Sequence, residues 1–110
     1  MRSVNHSHLP ARRWASSLLL ACGLACGGCG NALYAVQANS ASGKLEEARE
    51  LGAEQYAPYE YYYAKEHLQK AQSEAAEADY SDAVDLAATS EEYADKAIRL
   101  AREAHRGAGR

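Results

Sequence analysis

The sequence predicts an all-α protein in which antiparallel helical hairpins form a three-helix bundle after an N-terminal signal segment. Alanine, glutamate, lysine, glutamine and leucine, which favour helix, dominate the chain after residue 30. Apolar residues recur there at steps of three and four, which is the helical period. A sheet is not expected, because Val36, Val84 and Ile98 are the only β-branched aliphatic residues in this part and no alternation with a period of two is present.

Length and charge narrow the class of protein further. The chain has 110 residues, which suits one small domain, with 12 Lys and Arg against 15 Asp and Glu, a net charge of −3. Residues 1–29 contain three of the basic residues, Arg2, Arg12 and Arg13, and no acidic residue, so the rest of the chain is more acidic than the average. A nucleic-acid-binding domain is normally strongly basic, and we therefore expect no nucleic-acid partner.

Residues 1–28 are predicted to be a lipoprotein signal peptide followed by a short tether rich in glycine and cysteine. The three basic residues form a positive flank, residues 14–21 form a short apolar run, and small residues follow. These are the three parts of a secretory signal. A membrane-spanning helix needs about 20 apolar residues, and this run gives way to glycine too early.

All the cysteines, Cys22, Cys26 and Cys29, lie at the end of this apolar run, which argues against a disulfide framework in the helical part. Residues 19–22, Leu-Leu-Ala-Cys, resemble a lipoprotein lipobox, in which the cysteine sulfur receives a diacylglycerol. Cys22 is therefore the first choice for lipid attachment, with cleavage after residue 21. Cys29 is a close second, because cleavage there leaves no unpaired thiol, and Cys26 is third. None is followed by an acidic residue, which by resemblance to lipoprotein sorting implies the outer membrane.

The helical domain is predicted to span residues 31–106, with a flexible tail at 107–110. The first helix runs from about Ala32 to Gly52, with a weak point at residues 40–43 where it bends or begins afresh. The second opens with Pro58, whose missing N–H costs nothing at the start of a helix. The third follows Asp79 or Ser81 as a cap and stops near Gly107, with a second potential break at residues 89–92.

The predicted seams between these helices consist mostly of alanine. They comprise Tyr34, Ala38, Ala41, Leu45 and Ala48 in the first helix, Tyr61, Ala64, Leu68, Ala71, Ala75 and Ala78 in the second, and Val84, Ala87, Ala94, Ile98 and Ala101 in the third. The short turns make consecutive helices antiparallel. Alanine buries little apolar area, so we expect a marginally stable unit that is completed by self-association, a protein partner or proximity to the membrane.

Residues 48–60, residues 64–71 and residues 78–83, followed by an alanine-rich last helix, resemble the domain of unknown function 4398 (DUF4398) family. The resemblance implies a small helical bundle on an exported protein or lipoprotein of a double-membraned bacterium. Some members of that family occur with peptidoglycan-binding domains, but cell-wall binding does not carry over to this sequence, and the family supplies no catalytic residues. More weakly, residues 74–83 resemble the corner of a tetratricopeptide-type hairpin.

A tyrosine cluster is the most conspicuous candidate site. It comprises the partner-contact candidates Tyr59, Tyr61, Tyr62 and Tyr63. Together with the neighbouring Tyr56, these residues either pack the hairpin corner or form a contact patch for a partner. The spacing of Cys26 and Cys29 also suits zinc, with His67 or His105 as a further ligand, but these histidines are isolated, and we expect no metal site. No second group is placed to make either histidine catalytic, so we expect no enzyme, cofactor or small-molecule substrate.

The sequence therefore predicts an envelope lipoprotein, held at the outer membrane by an N-terminal lipid anchor and facing the periplasm. Its helical domain would be a non-catalytic structural or protein-interaction module. The alternative is an accessory subunit or binder for cell-wall or transport machinery in the periplasm.

Overall fold

Three long helices and one short helix make up residues 28–110, the part of the chain that the computed structural model describes. They are α1 (Gly28–Glu50), α2 (Ala53–Tyr56), α3 (Pro58–Ala76) and α4 (Tyr80–Ala108). These residues contain no strand, and the helices pack on one another, which confirms the all-α class.

The two potential breaks inside the helices do not form. α1 begins at Gly28 and passes without interruption through residues 40–43, and α4 continues through residues 89–92. Serine and threonine weaken helices when their side chains compete for the local backbone. Here Ser40 donates instead to Glu91 on α4 at 2.7 Å. Thr89 does bond its local backbone, at the Asp85 carbonyl 3.0 Å away, but a bond to the carbonyl four residues earlier only weakens a helix slightly and α4 continues through it.

The turns that follow α1 and α3 each contain a residue in the left-handed region. Gly52, between α1 and α2, has φ 74°, and Ala78, between α3 and α4, has φ 64°. At the end of α3 the Asp79 N–H donates to the Glu74 carbonyl at 2.9 Å and the Ala78 N–H donates to the Ala75 carbonyl at 3.1 Å. This is the Schellman arrangement, which normally places glycine where Ala78 stands. Ala78 is exposed, so its predicted place in the buried seam is wrong.

α4 begins and ends with recognisable signals. Asp79 is its N-cap, and the carboxylate accepts from the Asp82 N–H at 3.4 Å. Pro58 occupies the start of α3, as predicted. At its C-terminal end α4 includes Gly107 and reaches Ala108, with Gly109 as the C-cap. The tail is therefore shorter than the predicted residues 107–110, because a single glycine near a helix end weakens the helix without stopping it.

The core is built mainly from alanine, with a few larger side chains in the half of the bundle near the α1–α3 connection. The larger buried residues are Leu45, Tyr61, Leu68 and Ile98. Around them lie Ala41, Ala48, Ala53, Ala57, Ala64, Ala94, Ala97 and Ala101. Towards the start of α4, Ala71, Ala83 and Ala87 are fully buried without a larger partner among the buried residues there. Small side chains let the helix backbones approach closely, but each one buries little apolar surface.

The helices run up, down and up, so that α1 and α4 are parallel to each other and antiparallel to α3. Residues of α1 with higher numbers contact residues of α4 with higher numbers, as expected for parallel helices. They join Tyr34 to Tyr80, Gln37 and Ser40 to Glu91, Lys44 to Asp95, Glu47 to Arg102, and Leu51 to His105. The start of α1 therefore lies beside the start of α4, and the two connections lie at opposite ends of the bundle.

Candidate functional site

Cys29 is the one candidate lipid-attachment residue within the described part of the chain; Cys22 and Cys26 lie outside it. Cys29 is exposed in the first turn of α1. The next residue, Gly30, lies so close to α4 that an added Cβ would meet the Tyr80 Cβ at 3.1 Å. The beginning of α1 is thus already packed against the first residue of α4.

Tyr61 is part of the core and not of any contact surface. Its side chain is only 5% exposed, and its ring meets that of Tyr62 edge-on with centroids 5.2 Å apart. Burial, followed by a hydrogen bond to the Glu54 carboxylate, raises the pKa of the Tyr61 hydroxyl above its usual value. The prediction that Tyr61 contacts a partner is corrected, because the helical period turns this residue towards Ala64 and Leu68 on the buried side of α3.

Tyr63 packs α3 against α4 as one ring in an aromatic row. Its ring lies 4.2 Å from that of Tyr93 on α4 and is stacked on that of His67 at 4.1 Å. The Lys96 amino group sits over the Tyr93 ring, 4.1 Å from its centroid. The ring faces of Tyr63 and Tyr93 are therefore largely occupied within the molecule, which favours a packing role for Tyr63.

Tyr59 and Tyr62 are the two members of the cluster that remain open to solvent. Tyr59 is 64% exposed, and its ring extends the aromatic row at 5.7 Å from Tyr63. Tyr62 is 46% exposed, and the Lys65 amino group lies 5.9 Å from its ring centroid. The structure thus divides the cluster into two core or packing residues, Tyr61 and Tyr63, and two surface residues that can meet a partner.

The two histidines of the helical part are engaged with backbone carbonyls. His67 donates from Nδ1 to the Tyr63 carbonyl at 2.9 Å, one turn earlier on its own helix. His105 donates from Nε2 to the Leu51 carbonyl at 2.8 Å and meets the Tyr56 ring edge-on at 5.0 Å. His105 therefore satisfies a carbonyl at the end of α1 that the helix itself leaves unpaired, a role that the sequence analysis did not identify.

The cysteine and histidine positions also bear on the zinc alternative. Cys29 lies at the start of α1, whereas His105, on α4, contacts Leu51 just after the other end of α1. At the helical rise of 1.5 Å per residue, these two positions are roughly 30 Å apart. Among residues 28–110, no three His, Cys, Asp or Glu side chains are grouped so that they could hold a metal ion. The same residues contain no helix long and apolar enough to cross a bilayer.

A row of polar and charged side chains joins α1 to α4 on the side of α4 away from the tyrosine cluster. Lys44 on α1 donates to Asp95 on α4 at 2.6 Å and lies 3.4 Å from Glu91. The hydrogen bond to Asp95 is the main cause that raises the pKa of the Lys44 amino group. Beyond this row, at the end of α1, an open depression of about 540 Å³ is lined by Leu51, Arg99, Arg102, Glu103, His105 and Arg106.

The fold and these surfaces define a small helical-bundle domain. Within it, Tyr61 packs in the core, and His67 and His105 bond backbone carbonyls. The chain belongs to the domain of unknown function (DUF4398) family, whose model matches residues 36–108. The match covers the greater part of α1 and all of α2, α3 and α4, which confirms the family predicted from the sequence.

No further relative adds to this assignment. Neither the curated proteins nor the solved structures contain a significant match to this chain.

Proposed function

We propose that the protein is a lipoprotein of a double-membraned bacterial envelope, anchored at the outer membrane and facing the periplasm. Its helical domain serves as a non-catalytic structural or protein-interaction module. The observation that carries this proposal is the order of segments in the chain. A basic and then apolar leader ends in a lipobox-like Leu-Leu-Ala-Cys at residues 19–22, and the family domain follows directly.

The position of α1 supports Cys22 as the attachment residue. Acyl chains on Cys29 would hold the first turn of the bundle against the lipid headgroups, together with the adjoining acidic turn of Glu77, Asp79 and Asp82. Attachment at Cys22 places five residues between the lipid-bearing cysteine and the first residue of α1. Cys29 and Cys26 remain the second and third choices. Several acyl chains on one terminal cysteine would make the attachment stable.

The surface of the bundle supports an interaction role over catalysis. The exposed rings of Tyr59 and Tyr62 offer amphipathic contact area, while His67 and His105 are engaged with backbone carbonyls. A buried aromatic anchor is a common source of binding energy at protein interfaces, and Tyr59 is available for this use.

The second candidate is an accessory subunit or binder for cell-wall or transport machinery in the periplasm. The exposure of Tyr59 and Tyr62 on α3 favours it, because the bundle leaves these rings for another molecule to cover. Cross-linking in the envelope separates the two candidates. A stoichiometric protein partner whose capture is weakened by Tyr62→Ala would favour the accessory subunit, whereas homo-oligomers alone would favour the structural module.

Intact-mass measurement of the full-length protein, extracted with detergent from membranes of a Gram-negative host, tests the lipid anchor. We expect the mass of a chain that begins at Cys22 plus a diacylglycerol and an acyl chain. Cys22→Ala should abolish the modification, while Cys26→Ala, the matched control, should change the mass only by the substitution. An unmodified wild-type mass would overturn the lipoprotein proposal.

A further inference from the structure

The outer face of α4 carries a charged residue at every seventh position, and the sign of the charge changes halfway along. Asp85, Glu92, Arg99 and Arg106 follow one another at this spacing, and all four are exposed. Seven residues are close to two helical turns, so the four side chains lie in one row, which we call the charge stripe. The buried residues Ala87, Ala94 and Ala101 repeat at the same interval on the opposite side of the helix.

The helix dipole favours Arg106 in the last turn of α4, but neither the dipole nor the fold accounts for the whole charge stripe. The dipole acts within the first and last turns, whereas Glu92 and Arg99 lie well inside a helix that runs from Tyr80 to Ala108. In the part of the chain that the structure describes, Asp85, Arg99 and Arg106 form no ion pair, and Glu92 pairs only with Lys96 on its own helix at 2.7 Å. Asp85, Arg99 and Arg106 are therefore available to another molecule, and Glu92 is held only by an exposed pair on its own helix.

We propose that the charge stripe is the interface of an antiparallel homodimer of this chain. With two copies of α4 side by side and a two-fold axis between residues 95 and 96, Asp85 lies opposite Arg106 of the second copy. In the same register Glu92 lies opposite Arg99 of the second copy, and each pair occurs twice because the interface is self-complementary. The stripe thus matches itself over about 32 Å of helix at 1.5 Å per residue.

A second copy fits the charge stripe better than an anionic lipid or polymer. An anionic surface would attract Arg99 and Arg106 but repel Asp85 and Glu92, whereas an antiparallel copy pairs both halves. A parallel copy is disfavoured, because it would set like charges against each other at all four positions. Each exposed ion pair strengthens association by up to about fivefold, so we expect a dimer of modest affinity that salt dissociates.

Sedimentation velocity of the full chain in a density-matched non-ionic detergent tests the proposal. We expect a concentration-dependent dimer at low ionic strength and a monomer at about 1 M salt, where the screening length falls to about 3 Å. Asp85→Arg and Arg106→Asp should each raise the dimer dissociation constant about tenfold or more, since each turns two attractions into repulsions. The double variant Asp85→Arg/Arg106→Asp should regain dimerisation.

Mixing the two single variants is the most discriminating measurement, because their heterodimer contains only opposite-charge pairs at these positions. An equimolar mixture should sediment as a dimer although each variant alone does not. Lys65→Asp and Glu66→Arg make the same charge changes on the exposed side of α3 and should leave dimerisation unchanged. Circular dichroism would establish that every variant keeps its helices.

A wild-type chain that stays monomeric at low salt would overturn the proposal, as would single variants that dimerise normally or a mixture that stays monomeric. The inference goes beyond the proposed lipid anchor and is independent of it. The mass measurement and the sedimentation experiment can therefore fail separately.

Discussion

The hydroxyl of Ser90 on α4 donates to the backbone carbonyl of Ala64 on α3 at a distance of 2.7 Å. Ser90 is fully buried and, apart from the hydroxyl of Tyr61, carries the one polar side-chain group among the buried residues that the structure describes. The bond joins the antiparallel helices α3 and α4 in a core that consists mainly of alanine, with Tyr61 and Leu68 one turn to either side of Ala64. It therefore supplies a directed contact in a core that has few large side chains.

Ser90→Ala should lower the free energy of unfolding by about 0.5–1 kcal/mol. The substitution removes a net hydrogen bond, while the higher helix propensity of alanine recovers part of the loss. Urea unfolding followed by circular dichroism measures the change. Ser73→Ala, at an exposed position of α3, is the control and should stay within about 0.5 kcal/mol of the wild type. A Ser90→Ala chain as stable as the wild type would show that the buried bond contributes nothing net.

Ala78→Gly should stabilise the bundle by about 0.5–1 kcal/mol. An L-residue in the left-handed region is strained, and glycine removes that strain at some cost in the entropy of the unfolded chain. The midpoint of thermal unfolding should therefore rise. Ala76→Gly, in the last residue of α3, is the matched control and should destabilise, because there glycine only weakens a helix. Destabilisation by Ala78→Gly would contradict the assigned turn geometry.

Gly52→Ala should have the opposite effect and destabilise the protein by about 1–2 kcal/mol. Gly52 has φ 74°, and an added Cβ would meet Cε2 of Tyr56 at 3.3 Å, so the new methyl group is both strained and crowded. Gly43→Ala provides the comparison within α1, since a Cβ there meets nothing within 4 Å. That variant should gain about 0.5–1 kcal/mol from helix propensity. Equal effects of the two substitutions would count against the left-handed turn.

Tyr61→Phe should reduce the loss of stability that the protein shows in alkaline solution. Because burial and the Glu54 carboxylate raise the pKa of Tyr61 in the folded chain, the unfolded chain releases this proton first. The contribution is fully present below the unfolded pKa of about 10 and is lost as the pH rises from there towards the raised folded pKa. Denaturant unfolding at several alkaline pH values should give a flatter profile for Tyr61→Phe. A profile for Tyr61→Phe as steep as that of the wild type would contradict the raised pKa of Tyr61.

The sequence predicted the features of the fold that depend on local patterns. Apolar spacing identified Ala41, Leu45 and Ala48 as the buried side of α1. Local chemistry identified Pro58 at the start of α3 and narrowed the cap of α4 to Asp79 or Ser81, of which the structure has Asp79. These assignments succeed because helical period and capping act over a few neighbouring residues.

Features that depend on a partner from a distant segment were not predictable in the same way. The sequence placed Ser90 in a potential helix break. Nothing in the neighbouring sequence indicates that its hydroxyl bonds the Ala64 carbonyl on another helix. The bond from His105 to the end of α1 is of the same kind. In the tyrosine cluster, periodicity already placed Tyr61 in a seam, but the pairing of Tyr63 with Tyr93 required the packing of α3 against α4.

The parallel arrangement of α1 and α4 makes the bundle a rigid spacer. Because the number of long helices is odd, the chain leaves the domain at the end opposite to the one where it enters. α4 has 29 residues and is therefore about 43 Å long. Anything joined after Ala108 would be held at roughly that distance from whatever holds the start of α1, whereas a two- or four-helix bundle would return it to the same end.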